Sequence, residues 1–523
     1  PEGNKQSLLP LLSAYLEVID PATLPESLET ASEDDETILK DPDTGRFVSI
    51  NTKRLLNLVK SIHELFGVQS PDEPLHRLQA ADLADSLELD SSETLRTLAK
   101  LGRNLKDVTS LPKPRIPKAL TATLRDYQID GFHWMQFLAR HGLHAILADD
   151  MGLGKTLQTL AHLQAEVSGR RTGKRPSLVI APTSVIGNWA NEARKFAPKL
   201  KVLVLHGPDR KDRFHLIPSH HLVLTSYALL PRDFEHLREQ EFHLLILDEA
   251  QYIKNPAAKV SQLACRLSAA HRLSLSGTPL ENHLGELWSQ MRFLMPGFLG
   301  SSEVFRRTFR SPIERNHDTG AQAALNRRVA PLILRRTKDE VATELPPKTE
   351  ITHVIPLHKK QVDLYETVRA AMDKRIRDVV AEKGLSKSHI IVLDALLKLR
   401  QICCHPQLLK LPAARKIKDS AKLDFLTTDL LPTLLEEGRK ILLFSTFTSM
   451  LALIEEHLGK RKIPFAKITG STTRRQEQID RFQNGEVPVF LISLKAGGTG
   501  LNLTAADTVI HYDPWWNPAA ENQ

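Results

Sequence analysis

The 523-residue sequence predicts an α/β protein: two parallel sheets covered by helices, with helical insertions, after a small α+β segment. Three observations carry that reading. Short runs of continuous Val, Ile and Leu alternate with helical patterns from Leu120 to Arg336 and again from Lys440. Strands without polar alternation are those buried on both faces of a parallel sheet. One such strand, His144 to Asp149, runs into a glycine loop ending in Lys155 and Thr156. Another, His243 to Asp248, ends in the adjacent acids Asp248 and Glu249.

In chain order, the first stretch is acidic, with Glu26, Glu29, Glu33, Asp34, Asp35, Glu36, Asp41 and Asp43. Strand-forming residues at 37–39 and 46–50 flank the turn Asp41-Pro-Asp-Thr-Gly45, which predicts a β-hairpin. Leu55, Val59, Ile62 and Phe66 then recur at helical spacing. The acids read either as a solvated surface or as an autoinhibitory mimic of nucleic acid. Pro112, Pro114 and Pro117 mark a linker, so residues 1–117 form an accessory domain.

The first α/β unit, 118–345, has predicted strands at 144–149, 177–182, 201–206, 221–227, 243–248 and 272–276. Leu157, Leu160, Ala161 and Leu163 predict a helix from Lys155 to Val167, stopped by Gly169. Leu345-Pro-Pro-Lys348 is a predicted hinge, and charged helices follow at 359–383 and 393–400. The second unit, 346–523, repeats the pattern with strands at 440–445, 465–469, 488–493 and 508–512.

Composition bounds the function. A hydrophobic fraction of 41% and a charged fraction of 25% are those of a globular protein, and no apolar run reaches the ~18 residues of a membrane span. No membrane partner is expected, and a monomer is. The net charge of +8 permits a polyanionic partner without requiring one. The three cysteines, Cys265, Cys403 and Cys404, lack C-x-x-C spacing, so Cys403-Cys404-His405 reads as packing and the chain suits a reducing compartment. The first residue, proline, suggests a trimmed fragment.

The loop Asp150-Met-Gly-Leu-Gly154 followed by Lys155 and Thr156 has the parts a nucleotide needs. Gly152 and Gly154 bring backbone N–H groups close, Lys155 meets β/γ oxygens, and Thr156 offers a hydroxyl to Mg²⁺. Asp149 stands where the usual G-x-x-x-x-G-K-[ST] pattern has its first glycine. Asp248 would hold Mg²⁺, and Glu249 would orient and deprotonate the attacking water.

Asp248-Glu-Ala-Gln-Tyr-Ile-Lys-Asn-Pro256 and Leu275-Ser-Gly-Thr-Pro-Leu-Glu-Asn282 match signature motifs of a known family. From about residue 118 to 523 the chain resembles a Swi/Snf-type ATPase of helicase superfamily two, and its hairpin-and-helix start is similar to what precedes the motor in bacterial members. The resemblance implies two tandem RecA-like lobes that use ATP and Mg²⁺ to move along double-stranded DNA, usually without separating strands. It implies that Gln128 reads adenine and that Gln251 lies at the nucleotide. Thr183, Ser184 and Ser226 in the first lobe, with Thr469, Gly470, Ser493 and Lys495 in the second, would contact DNA. Ser276, Thr278, Gly497, Gly498 and Gly500 would couple the two sites. Leu334-Arg-Arg-Thr-Lys338 and Leu399 to Pro406 resemble structural stretches around the insertions, and Trp515 and Trp516 resemble interlobe packing residues.

Family members continue past the position of Gln523 into arginines that reach the γ-phosphate, so ATP affinity without full turnover is expected of this chain. The implied function is a double-stranded DNA translocase or remodeller that displaces bound proteins, with a DNA-bound protein complex as a further partner. Its place would be the nucleoid in a bacterium or the nucleus in a eukaryote. Two rivals remain open: a strand-separating helicase, and a nucleotide-binding scaffold with little turnover.

Overall fold

The structure is a computed structural model that describes residues 32, 35–40, 47–53, 55–56, 112–277, 283–341, 349–383, 385–497, 501 and 503–516. It divides into two compact units, Pro1–Thr343 and Glu344–Gln523. Before the first sheet, β1 (Glu36–Lys40) and β2 (Phe47–Asn51) pair antiparallel with Glu36 opposite Asn51. The expected hairpin is therefore present. Its turn, most of the helix expected after it, the acids at 26–34 and the hinge at 345–348 lie outside the described residues.

Among its described residues the first unit is built on seven parallel strands: β3 (Ala145–Leu147), β4 (Ser177–Ala181), β5 (Val202–Val204), β6 (Leu222–Ser226), β7 (Phe242–Asp248), β8 (Ala269–Leu275) and β9 (Ile333–Leu334). Their order across the sheet is β5-β6-β4-β7-β8-β3-β9. Six were legible as apolar runs. β9 was not, because two residues carry no periodicity, and only its pairing with β3, Ile146 with Ile333 and Leu147 with Leu334, makes it a strand.

Helices cover both faces, as parallel crossovers demand. They include α1 (Asp126–Arg140), α2 (Lys155–Ser168) and α3 (Ile186–Phe196). Ile146, Leu147, Val179, Ile180, Leu245, Ile246 and Leu247 are all fully buried between them, and the Trp189 ring on α3 fills the same core. Burying such side chains stabilises by about 1.5–3 kcal/mol each.

Among its described residues the second unit has four parallel strands, β10 (Ile441–Ser445), β11 (Phe465–Ile468), β12 (Val489–Ser493) and β13 (Thr508–His511), in the order β11-β12-β10-β13. One face packs Leu443, Met450, Leu451, Ile454 and Leu491, and the other packs Ala466, Ile468, Phe482, Phe490 and Ile492. Two long helices precede this sheet, α4 (Lys359–Lys383) and α5 (Leu385–Cys404), the second beginning eight residues earlier than the pattern at 393–400 predicted. No helix among the described residues is long and apolar enough to cross a membrane.

Candidate functional site

Both signature loops leave the same edge of the first sheet. β3 and β7 flank β8, and the register sets Leu147 and Asp248 both opposite Leu275. The phosphate loop, Ser276 and Glu249 therefore emerge side by side at the carboxyl ends of the strands, where open α/β sheets bind ligands.

At the loop, Gly152 and Gly154 have φ of 87° and 76°, a region closed to most side chains. A Cβ on Gly154 would lie 2.6 Å from Gln128 Nε2. Helix α2 starts at the next residue, so its unpaired N–H groups face into the loop. Lys155 Nζ donates to the carbonyls of Asp149 at 2.6 Å and Asp150 at 3.2 Å. Burial pushes its ammonium pKa down, while Glu249, Asp248, Asp149 and Asp150 favour the charge. Gln128 on α1 donates to Leu153 O at 3.1 Å and accepts from Arg125 N at 3.0 Å, so its amide is seated on the loop. Asp150, Met151, Leu153 and Thr156 complete the same segment.

At the acid pair, Asp248 is nearly buried, and burial raises its carboxyl pKa. Two donors oppose the rise: the Trp189 indole N–H at 2.7 Å on Oδ2, and the Glu249 N–H at 3.0 Å on Oδ1. Glu249 has φ 50° and ψ 57°, a left-handed conformation that disfavours a non-glycine residue by roughly 1–2 kcal/mol. Such strain persists where surroundings impose it. Here Gln251 Nε2 donates to Glu249 Oε2 at 2.8 Å, and Ser276 Oγ donates to Gln251 Oε1 at 3.3 Å. A continuous hydrogen-bonded path thus runs from Glu249 through Gln251 to Ser276. Thr278, expected to act with Ser276, lies outside the described residues.

The expected DNA contacts of the first unit divide. Thr183 is exposed and Ser184 half-buried after β4. Ser226 is fully buried at the end of β6, with its hydroxyl unpartnered. The helix that follows Thr183 and Ser184 is α3, whose Trp189 grips Asp248, so the loop is physically joined to the acid pair.

In the second unit the strand ends converge likewise, with Ser445 opposite Ser493 and Ile468 opposite Ile492. Gly470 and Lys495 are exposed there, whereas Thr469 and Ser493 are mostly buried. Thr469 Oγ1 shares a hydrogen bond of 3.0 Å with Ser471 Oγ. Gly497 is described, and Gly498 and Gly500 lie outside the described residues. Asp513 is buried behind this edge and accepts from Ser445 Oγ at 2.5 Å and Arg400 Nη2 at 3.0 Å. Phe447, Trp515 and Trp516 all lie against the Arg400 guanidinium, within 5.5 Å of its carbon. The two tryptophans thus pack on the arginine of α5 inside their own unit. Cys404 is buried, its thiol pushed up to about 12 by that burial. Among the described residues no cluster of His, Cys, Asp or Glu could hold a metal ion by itself.

Sequence reasoning missed three residues: Trp189, Arg336 and Arg400. Arg336 donates to both oxygens of Asp149, at 2.9 and 2.5 Å. Trp189 follows the expected DNA contacts Thr183 and Ser184 without being singled out, and the two arginines stood in stretches read as structural. The one available signal was Asp149 itself, since an acid in place of a glycine calls for a cation.

A model of the SNF2-related domain matches residues 127–408, and one of the helicase conserved C-terminal domain matches residues 422–523. A Bacillus subtilis (strain 168) protein named for an ATP-dependent helicase/translocase, YwqA, is 38% identical over 500 residues, covering 90% of this chain and 52% of its own. The TATA-binding protein-associated factor mot1 of Aspergillus fumigatus is 34% identical over 479 residues, covering 80% of this chain and 25% of its own. The chain thus spans about half or less of the length of these relatives. The solved Sulfolobus solfataricus SWI2/SNF2 ATPase core in complex with dsDNA is 37% identical, covering 78% of this chain and 85% of its own, with a TM-score of 0.45. With a strand-end phosphate loop and acid pair in place and more than half its length matched by the domain model, the chain belongs to the SNF2 family.

Proposed function

We propose that this chain is the motor of an ATP-dependent translocase on double-stranded DNA. The observation that carries the reading is the shared edge of β3, β8 and β7, which sets a phosphate loop, Ser276 and the Asp248–Glu249 pair side by side. The relatives named as helicase or translocase support ATP as the fuel.

In this reading the N–H groups of the Gly152–Gly154 loop and the start of α2 bind the phosphates, Lys155 neutralises the β/γ oxygens, and Gln128 holds the adenine. Gln251 keeps Glu249 turned toward the site, so Glu249 orients the attacking water and takes its proton. Asp248 and Thr156 suit Mg²⁺: both offer hard oxygens, and the carboxylate has lone pairs beyond the two donors it already meets. A cation held there would take its remaining ligands from the nucleotide and water, and when bound it would neutralise charge developing on the phosphates.

Nucleic acid would lie on the strand-end edges, where Thr183 and Ser184 of one unit and Gly470 and Lys495 of the other are accessible. These are backbone-type contacts, which position a polymer without reading bases. The path Glu249–Gln251–Ser276 and the bridge from α3 to Asp248 give two routes by which engagement of DNA reaches the hydrolytic residues. The reading is tested by ATP hydrolysis with double-stranded DNA, single-stranded DNA, RNA and no nucleic acid. Double-stranded DNA should stimulate most, and equal rates in all four would refute it.

A further inference from the structure

Asp149 stands where a glycine loop normally has no side chain, and it is completely buried. A lone buried carboxylate is strongly destabilising, so its partner is part of the loop's design. That partner is Arg336, which follows β9 and is itself largely buried, at 12% exposure. Its Nε donates to Asp149 Oδ1 at 2.9 Å and its Nη2 to Oδ2 at 2.5 Å. Gln158 Nε2 adds a third donor to the same carboxylate at 3.1 Å.

The rest of the guanidinium faces other parts of the same site. Nη2 also donates to Gln158 Oε1 at 2.9 Å on α2, and Nη1 donates to the Tyr127 carbonyl on α1. The cation also lies 5.3 Å from the centre of the Tyr127 ring, and Tyr127 OH donates to Leu153 O at 3.2 Å, at the far side of the loop. The backbone runs in parallel with these contacts. Ala148 N donates to Leu334 O at 2.7 Å, Asp150 N to Arg336 O at 3.0 Å, and Lys338 N to Asp150 Oδ2 at 3.1 Å. Packing leaves no slack, since a Cβ on Gly131 of α1 would fall 2.1 Å from Gln158 Oε1 and 2.9 Å from Arg336 Nη2.

We propose that Arg336 is a positioning residue for the nucleotide: through Asp149 it fixes the phosphate loop against Tyr127 and Gln158. The loop's N–H groups are thereby set before a phosphate arrives, and the adjacent Gln128 is held at the matching distance. This inference rests on the reading that the loop binds ATP. Four of the guanidinium's five N–H donors are used, in fork and side directions that an ammonium cannot reproduce, so lysine does not substitute. Its neighbour Arg335 is exposed and serves as a control of equal charge.

The experiment is equilibrium titration with a fluorescent ATP analogue, with thermal melting of each variant to establish that it is folded at the titration temperature. Arg336→Gln and Arg336→Lys should weaken binding by about tenfold or more, the loss expected when a preorganised charged hydrogen bond is removed, while Arg335→Gln leaves it unchanged. Asp149→Gly, which removes the buried acid and so tolerates loss of its partner, should weaken binding as well. Adding Arg336→Gln to it should cost little more, because the arginine acts through the acid. Amide exchange at 148–154 should be faster in the Arg336 variants than in the wild type before nucleotide is added. Should Arg336→Gln fail to fold, Arg336→Lys and the Asp149→Gly pair decide. Folded Arg336 variants that bind as tightly as wild type, or additive losses in the double variant, would overturn the proposal. A wild-type chain that does not bind the analogue would instead overturn the reading on which it rests.

Discussion

Lys155 and Glu249 sit at one edge but have different work to do, and substitution separates them. Lys155→Ala removes the cation proposed to face the phosphates, and ATP affinity should fall about tenfold or more. Glu249→Gln keeps the side chain's size and its contact with Gln251, so affinity should stay near wild type while hydrolysis drops by ~10²-fold or more. Equal loss of affinity in the two variants would show that the roles are misassigned. Trp189→Phe keeps the ring in its core and deletes only the donor to Asp248. Burial already raises the Asp248 carboxyl pKa and the indole N–H lowers it, so the variant's carboxyl should titrate at a higher pH. Below that pH the neutral acid binds no cation. The acid limb of Mg²⁺-dependent ATP binding should therefore move upward in Trp189→Phe, and an unmoved limb would remove Trp189 from the site.

Elements were legible in proportion to their length and their burial. The strands β4, β6 and β7 are five to seven buried residues each and stood out as apolar runs, and α2 was marked at both ends by glycines. β9 is two residues long and exists through pairing, so nothing local announced it. The site divides in the same way. Its loop and acid pair are contiguous in sequence, whereas Arg336 reaches Asp149 across 187 positions and Trp189 reaches Asp248 across 59, contacts that spacing cannot express. The buried end of α2 offers a test of packing away from the site. His162 accepts or shares a hydrogen bond of 2.9 Å with Gln136 Nε2, and burial lowers its pKa from 6.5 to about 4, against the pull of Glu166 and with His271, His243 and Arg171 adding to the shift. The unfolded chain then binds one more proton than the folded chain between those values, so stability rises with pH across that window. The contribution is whole above pH 6.5 and lost as pH falls toward 4, on the order of 3 kcal/mol. Thermal melts of the first unit should show a steeper decline below pH 6.5 in wild type than in His162→Gln, and parallel declines would contradict that assignment.

At the scale of the molecule, two parallel sheets each present a strand-end edge with hydroxyls, glycine or lysine open to solvent. DNA affinity should therefore fall steeply as salt rises and vary little with sequence, because phosphates and their released counterions dominate. Fluorescence anisotropy across a salt series on two unrelated duplexes checks both, and a flat salt response or a strong preference for one duplex would count against the surface. Lys495→Ala should weaken both duplexes alike and reduce the salt slope by roughly one counterion. Movement along intact duplex is read out by displacement assays on two substrates. With ATP, the chain carried on through the arginines expected past Gln523 should strip a third strand from a triplex at a rate that Glu249→Gln abolishes, and it should leave an annealed strand of a plain duplex in place. Release of the annealed strand at a comparable rate, or triplex displacement that survives Glu249→Gln, would contradict the account.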